Sequence, residues 1–157
     1  LKNAISNALT AFEGKGLTVE QRDGKVYVSM ENKLLFKSGS WAVGSEGRSA
    51  IEQLGSVLAD NPEIDVLIEG HTDNDPFSSG GPIANNWDLS TKRATAIVQI
   101  LSENENINLE NLTAAGRSEY APLVSNDTLE GKAKNRRIEV VLTPKLDEIS
   151  KLLKINR

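Results

Sequence analysis

Ile68-Glu69-Gly70-His71-Thr72-Asp73 and, further along, Asn86-Trp87-Asp88-Leu89-Ser90-Thr91-Lys92-Arg93-Ala94 are the stretches whose reading decides the fold. Ile64 to Gly70 reads as a strand, with Asp73 just past its carboxyl end. Leu89 onward reads as a helix that returns across the sheet and so begins beside the end of that strand. Ligands of open α/β sheets tend to bind at that edge, so an acid and an arginine meeting there would suit a zwitterion.

Working outward, Glu46 to Asp60 carries Ile51, Leu54 and Leu58 at helical spacing and is ended by Asn61-Pro62. Upstream, Leu17 to Arg22 and Lys25 to Met30 flank Asp23-Gly24, a strong two-residue hairpin signal. Ile5, Ala8, Leu9 and Phe12 form the apolar stripe of a short helix that stops near Gly14. That stripe needs a neighbour, either this domain or an upstream coiled coil. Downstream, Leu112 to Gly116 and Arg137 to Leu142 read as strands, the latter alternating Ile138, Val140 and Leu142. Pro144 suits the first turn of a final helix carrying Leu146, Ile149, Leu152 and Leu153. The mixture predicts an α/β (α+β) two-layer sandwich, a mixed β-sheet with helices packed on one face. Residues 1–16 are expected to be an N-terminal helix, the end of an upstream linker or coiled coil, and residues 17–157 the domain. Asn74 to Asn86, rich in Gly, Ser, Pro and Asn, reads as a surface loop.

The chain has 157 residues, 38% hydrophobic and 25% charged, enough for one core. A net charge of -4 argues against nucleic acid as the main partner, because phosphate binding draws on surplus Lys and Arg. There is no cysteine, which excludes disulfides and thiolate metal sites. No apolar run approaches the roughly 20 residues that cross a bilayer. The chain opens inside an apparent helix at Leu1, as expected of a fragment or processed form, so any membrane attachment would come through an absent N-terminal segment.

Arg93 can be tested against helix geometry, since at about 100° per residue Leu89, Ile97 and Ile100 project within roughly 40° of it. A guanidinium on that inward side must be paired or hydrogen-bonded, because a dry, unpartnered charge costs several kcal/mol, roughly. Asp73 is the nearest candidate partner. An internal Asp73–Arg93 salt bridge and a ligand site are, on this reasoning alone, about equally good accounts.

Gly70-His71-Thr72-Asp73, then Asn86-Trp87-Asp88-Leu89-Ser90-Thr91-Lys92-Arg93-Ala94, then Asn135-Arg136-Arg137 resemble the ordered blocks of the OmpA/MotB family of peptidoglycan-binding domains. The resemblance covers roughly Lys25 to Leu142 and implies a non-catalytic receptor for the diaminopimelate of the peptidoglycan stem peptide, with no cofactor. It assigns Asp73 to the ligand's ammonium and Arg93 to its carboxylate. A guanidinium grips a carboxylate in bidentate fashion, so the chemistry agrees. Asn86 matches a family asparagine that adds a polar contact, and Thr72 lies beside the acid. Arg137 matches the arginine bordering the groove, with Arg136 a close competitor. The protein would sit in the periplasm, anchoring an outer-membrane or inner-membrane protein to the wall.

Two departures stand out. Phe36-Lys37 replaces the Phe-Asp of many relatives, and the loop Asn74 to Asn85 is longer than in short-loop relatives. The loop and the Asn-Trp-Asp-Leu-Ser spelling resemble the wall-anchoring part of MotB-like ion-driven stators, for which a homodimer is expected. A protein-interaction module built around an internal Asp73–Arg93 bridge is the rival from another class.

His71 is the single histidine and reads as structural. Asp73-Asn74-Asp75 begins like a calcium loop, but Phe77 and Ser78 stand where a ligand and glycine are required, so no metal is expected. No catalytic residue is expected either, since no partner for acid/base work or nucleophile elbow is evident. Lys132, Lys134, Arg136 and Arg137 read as a solvated basic rim, because no aromatic stacking platform accompanies them. Asp88 reads as the cap of the helix.

Overall fold

Asp23 and Gly24 both take positive φ, 52° and 76°, the backbone of a tight two-residue turn whose twist matches its flanking strands. This turn joins β1 (Leu17–Arg22) to β2 (Lys25–Glu31) in the expected hairpin. The computed structural model describes residues 1–78 and 80–145. In chain order, α1 (Lys2–Ala8) precedes the hairpin, and α2 (Asn32–Leu35), α3 (Ser45–Ala59), β3 (Ile64–His71) and α4 (Asn86–Ser102) follow it. A short 3-10 turn at Leu109–Asn111 then leads to β4 (Leu112–Gly116), α5 (Leu129–Asn135) and β5 (Arg137–Pro144).

The strands form one sheet in the order β1-β2-β5-β3-β4. Among the described strands only β3 and β4 pair in parallel, joined by α4 as the crossover helix, and the other strand pairings are antiparallel. It is thus a mixed sheet in an α/β fold, as expected. Period-two alternation sends Val66 and Ile68, Val26, Val28 and Met30, and Ile138, Val140 and Leu142 into the core with Ile51, Leu54 and Ile97 of the helices. Alternate residues go to the other face, among them Glu69, His71, Arg137 and Glu139. Ile5, Leu9 and Phe12 join the same core, so the α1 stripe finds its neighbour within this fold, against α3 and β1.

The α4 helix lies close on the sheet because Gly70 and Gly116, Cα partners on β3 and β4, lack side chains. A Cβ at Gly70 would collide with the Ser90 carbonyl, and one at Gly116 with the Thr91 hydroxyl. One expectation is corrected. Pro144 ends β5 opposite Ile64 instead of starting a helix; β2 pairs only as far as Leu142, so the missing proline N–H breaks no ladder. The final helix expected at Leu146 to Leu153 lies outside the described residues. The helix α5 has no apolar stripe, since Leu129 is exposed, and its sequence signal is the Thr128 cap, whose hydroxyl accepts from Gly131 N at 2.9 Å.

Candidate functional site

The end of β3 and the first turns of α4 meet over a cavity of about 620 Å³, lined by Phe36, Lys37, Ser38, Gly39, Thr72, Asp73, Asp75, Asn86, Arg93 and Arg136. Asn86, Leu89 and Arg93 stand at i, i+3 and i+7 on one stripe of α4, which is why helix geometry brings the amide and the guanidinium to the same wall. The cap of α4 is Asn85, not Asp88: Asn85 Oδ1 accepts from Asp88 N at 3.0 Å. Asp88 reaches back to accept from Ala84 N at 2.9 Å. This reciprocal arrangement satisfies two donors at the helix entry and sets where Asn86 emerges.

Asp73 and Arg93 do share the cavity, but they do not form the salt bridge entertained from sequence. Asp73 Oδ1 accepts from Asp75 N at 2.9 Å, and Oδ2 pairs with Arg136 Nη1 at 2.5 Å. Arg93 donates Nε to the Ser40 carbonyl at 2.8 Å, and its guanidinium carbon lies 5.1 Å from the centre of the Phe36 ring. Phe36 to Ser40 therefore form a wall of the site. Among the described residues no carboxylate makes an ion pair with Arg93, which is only 5% exposed. Burial pushes its pKa down to about 10, with the Arg136 charge adding to the effect and Asp73 opposing it. It stays a cation at neutral pH, short of a counter-charge.

Thr72 donates its hydroxyl to the Asp73 carbonyl at 2.8 Å, and its backbone N–H reaches Ser118 O at 2.9 Å, so the turn carrying Asp73 is tied to the loop after β4. Asn86 donates Nδ2 to the Asp75 carbonyl at 2.9 Å, and Lys132 of α5 pairs with Asp75 at 2.8 Å. The carboxylates of Asp73 and Asp75 are thus each held by a cation.

Arg137, favoured over Arg136 as the groove residue, does not line the cavity. It is buried on the opposite face of the sheet, donating to Asn135 O, Ala121 O and Glu139. Arg136 takes the groove position. The signal was available: if Ile138 points into the core, period two turns Arg137 away from the helices and leaves Arg136 on their side. The expected basic rim divides accordingly, with Lys134 3.8 Å from Glu130 at the surface.

His71 belongs to a cluster that the sequence did not reveal. Its Nε2 lies 3.2 Å from Glu69 and 3.9 Å from Glu139, and these three side chains could geometrically hold a cation. Arg137 and Arg117 already approach the two carboxylates at 3.4 and 3.9 Å, so the positive charge is supplied from within. The His71 hydrogen bond pulls the Glu69 pKa below its ordinary value, although burial opposes it.

Residues 35–136 match the OmpA family. Motility protein B of Bacillus subtilis (strain 168) is 34% identical over 75% of this chain, which covers 45% of that protein. The chain spans about half the length of such relatives, 51% for YtxE of the same organism. Among solved structures, the cell wall anchor of the T6SS from Pseudomonas aeruginosa superposes with a TM-score of 0.79 at 27% identity, covering 92% of this chain and 100% of that one. The periplasmic domain of Helicobacter pylori MotB (residues 90-256) gives 0.78 at 24% identity over 92% and 90% of the two chains, a likeness of fold.

Proposed function

The chain belongs to the OmpA family, and on that premise we propose that it is a non-catalytic periplasmic module that binds peptidoglycan and anchors an envelope protein to the cell wall. One observation carries the reading: Arg93 is a buried cation lining an open cavity, with no carboxylate in ion-pair contact among the described residues. A buried charge without its partner is costly, and a ligand carboxylate would supply what the fold leaves out.

The ligand we infer is the diaminopimelate of the stem peptide, which carries ammonium and carboxylate on one carbon. With Nε committed to Ser40, the Nη groups of Arg93 remain for the carboxylate. The ammonium goes to Asp73 in exchange for Arg136, whose half-exposed guanidinium then turns toward the incoming carboxylate. Asn86 and Thr72, which line the cavity, add polar contacts. Arg136 replaces Arg137 in this set because it lines the cavity.

Co-sedimentation with diaminopimelate-type sacculi tests the proposal. Arg93→Ala and Asp73→Ala, each confirmed as folded, should weaken binding by about 2 to 5 kcal/mol, more than tenfold in affinity. A folded Arg93→Ala chain that sediments like wild type would refute it. The stator reading is favoured by the likeness to motility protein B and predicts a homodimer by sedimentation equilibrium. The protein-interaction reading loses its central feature, since Asp73 pairs with Arg136 instead of Arg93.

A further inference from the structure

Beside the charged cavity, Trp87 and Tyr120 stand with ring centroids 5.5 Å apart and planes tilted by 31°. They are 48% and 65% exposed, so neither ring is spent on the core. Together with Ser78, Asn85, Asn86 and Ser118 they border a second cavity of about 520 Å³, which shares Pro76, Phe77 and Asn86 with the first. The two hollows are neighbours along one surface.

The backbone beneath both rings is anchored. Trp87 stands on the capped first turn of α4. Tyr120 sits on a turn in which its N–H reaches Arg117 O at 3.2 Å and Ser118 adopts a φ of 53°. Ser118 N donates to the Ser90 hydroxyl at 3.1 Å, and its carbonyl takes the Thr72 N–H, so the aromatic pair and Asp73 hang from the same framework.

We propose that the Trp87–Tyr120 pair and its amide rim form a carbohydrate subsite contiguous with the charged cavity, taking a pyranose ring of the glycan strand that bears the stem peptide. A pyranose presents a face of weakly positive C–H groups that suits the negative face of an aromatic ring, while its hydroxyl and acetamido edges need donors and acceptors such as Asn85 and Asn86. The short stretch of stem peptide between sugar and diaminopimelate spans about 10 Å when extended, the scale of two adjoining cavities. The inference rests on the cell-wall reading above and adds to it a preference for the intact sugar-peptide.

The test measures affinity of the full chain for two probes, a diaminopimelate-containing stem peptide and the same peptide joined to its N-acetylated disaccharide. Wild type should bind the second about three- to tenfold more tightly. Trp87→Ala and Tyr120→Ala should each erase that gain, leaving peptide affinity within about twofold of wild type. Peptide binding without a sugar gain, or a gain that survives in either variant, overturns the subsite and leaves the cell-wall reading standing. Failure to bind either probe overturns both. A Trp87→Ala chain that is monomeric where wild type is dimeric would also overturn it, assigning the platform to a second copy.

Discussion

Arg93 and Glu69 show how a single side chain acquires chemistry from its surroundings. Arg93 bonds Ser40 through Nε and packs against Phe36, and among the described residues its forked Nη edge makes no ion pair with a carboxylate. A lysine there would keep the charge and lose the fork, so Arg93→Lys should also bind sacculi more than about tenfold more weakly than wild type. Equal binding would mean that charge alone suffices. Glu69 has a folded pKa below its ordinary 4.5, chiefly through the His71 hydrogen bond. The stability it contributes is therefore fully present above about pH 4.5 and is lost as pH falls through the lower folded value. Thermal melts from about pH 6 to pH 3 should show a shallower acid decline in Glu69→Gln than in wild type. Parallel declines would remove Glu69 from the acid response.

At the level of elements, the site depends on how closely α4 approaches β3 and where it starts. Gly70 allows the approach. Gly70→Ala forces a methyl group into the Ser90 backbone, which cannot rotate aside as a side chain does, and should cost at least about 1 to 3 kcal/mol. Chemical denaturation would register this, and a neutral result would mean that α4 can shift. The Asn85 cap sets the start of the helix, so Asn85→Ala should cost about 1 kcal/mol in the same assay. The Asp88 backbond is expected to keep most of the first turn in place.

For the whole molecule, the question is whether the N-terminal helix belongs to the folded unit. Ile5 and Leu9 are fully buried within the same core as Ile51, Leu54 and Met30. Ile5→Ala or Leu9→Ala should therefore lower the stability of the fold by about 2 to 5 kcal/mol. If either left the denaturation midpoint unchanged, α1 would be a linker end, and the unit would begin near Leu17. Ile5, Leu9 and Phe12 pack in the core of this structure, and despite the net charge of -4 Arg93, Arg136 and Lys37 line one cavity beside Asp73 and Asp75.

The strands, the long helices, the hairpin and the shared edge of Asp73, Asn86 and Arg93 were legible in the sequence, because each rests on local periodicity or on turn chemistry that neighbouring residues supply. Even the choice of Arg136 over Arg137 lay within reach, since Ile138 fixes the phase of β5. The pairing of Asp73 with Arg136, the carbonyl of Ser40 under Arg93, the Glu69–His71–Glu139 cluster and the Trp87–Tyr120 platform were not legible. Each joins residues far apart in the chain or on separate strands and loops, and which of several cations reaches a given carboxylate depends on the register and loop paths that only the packed fold decides.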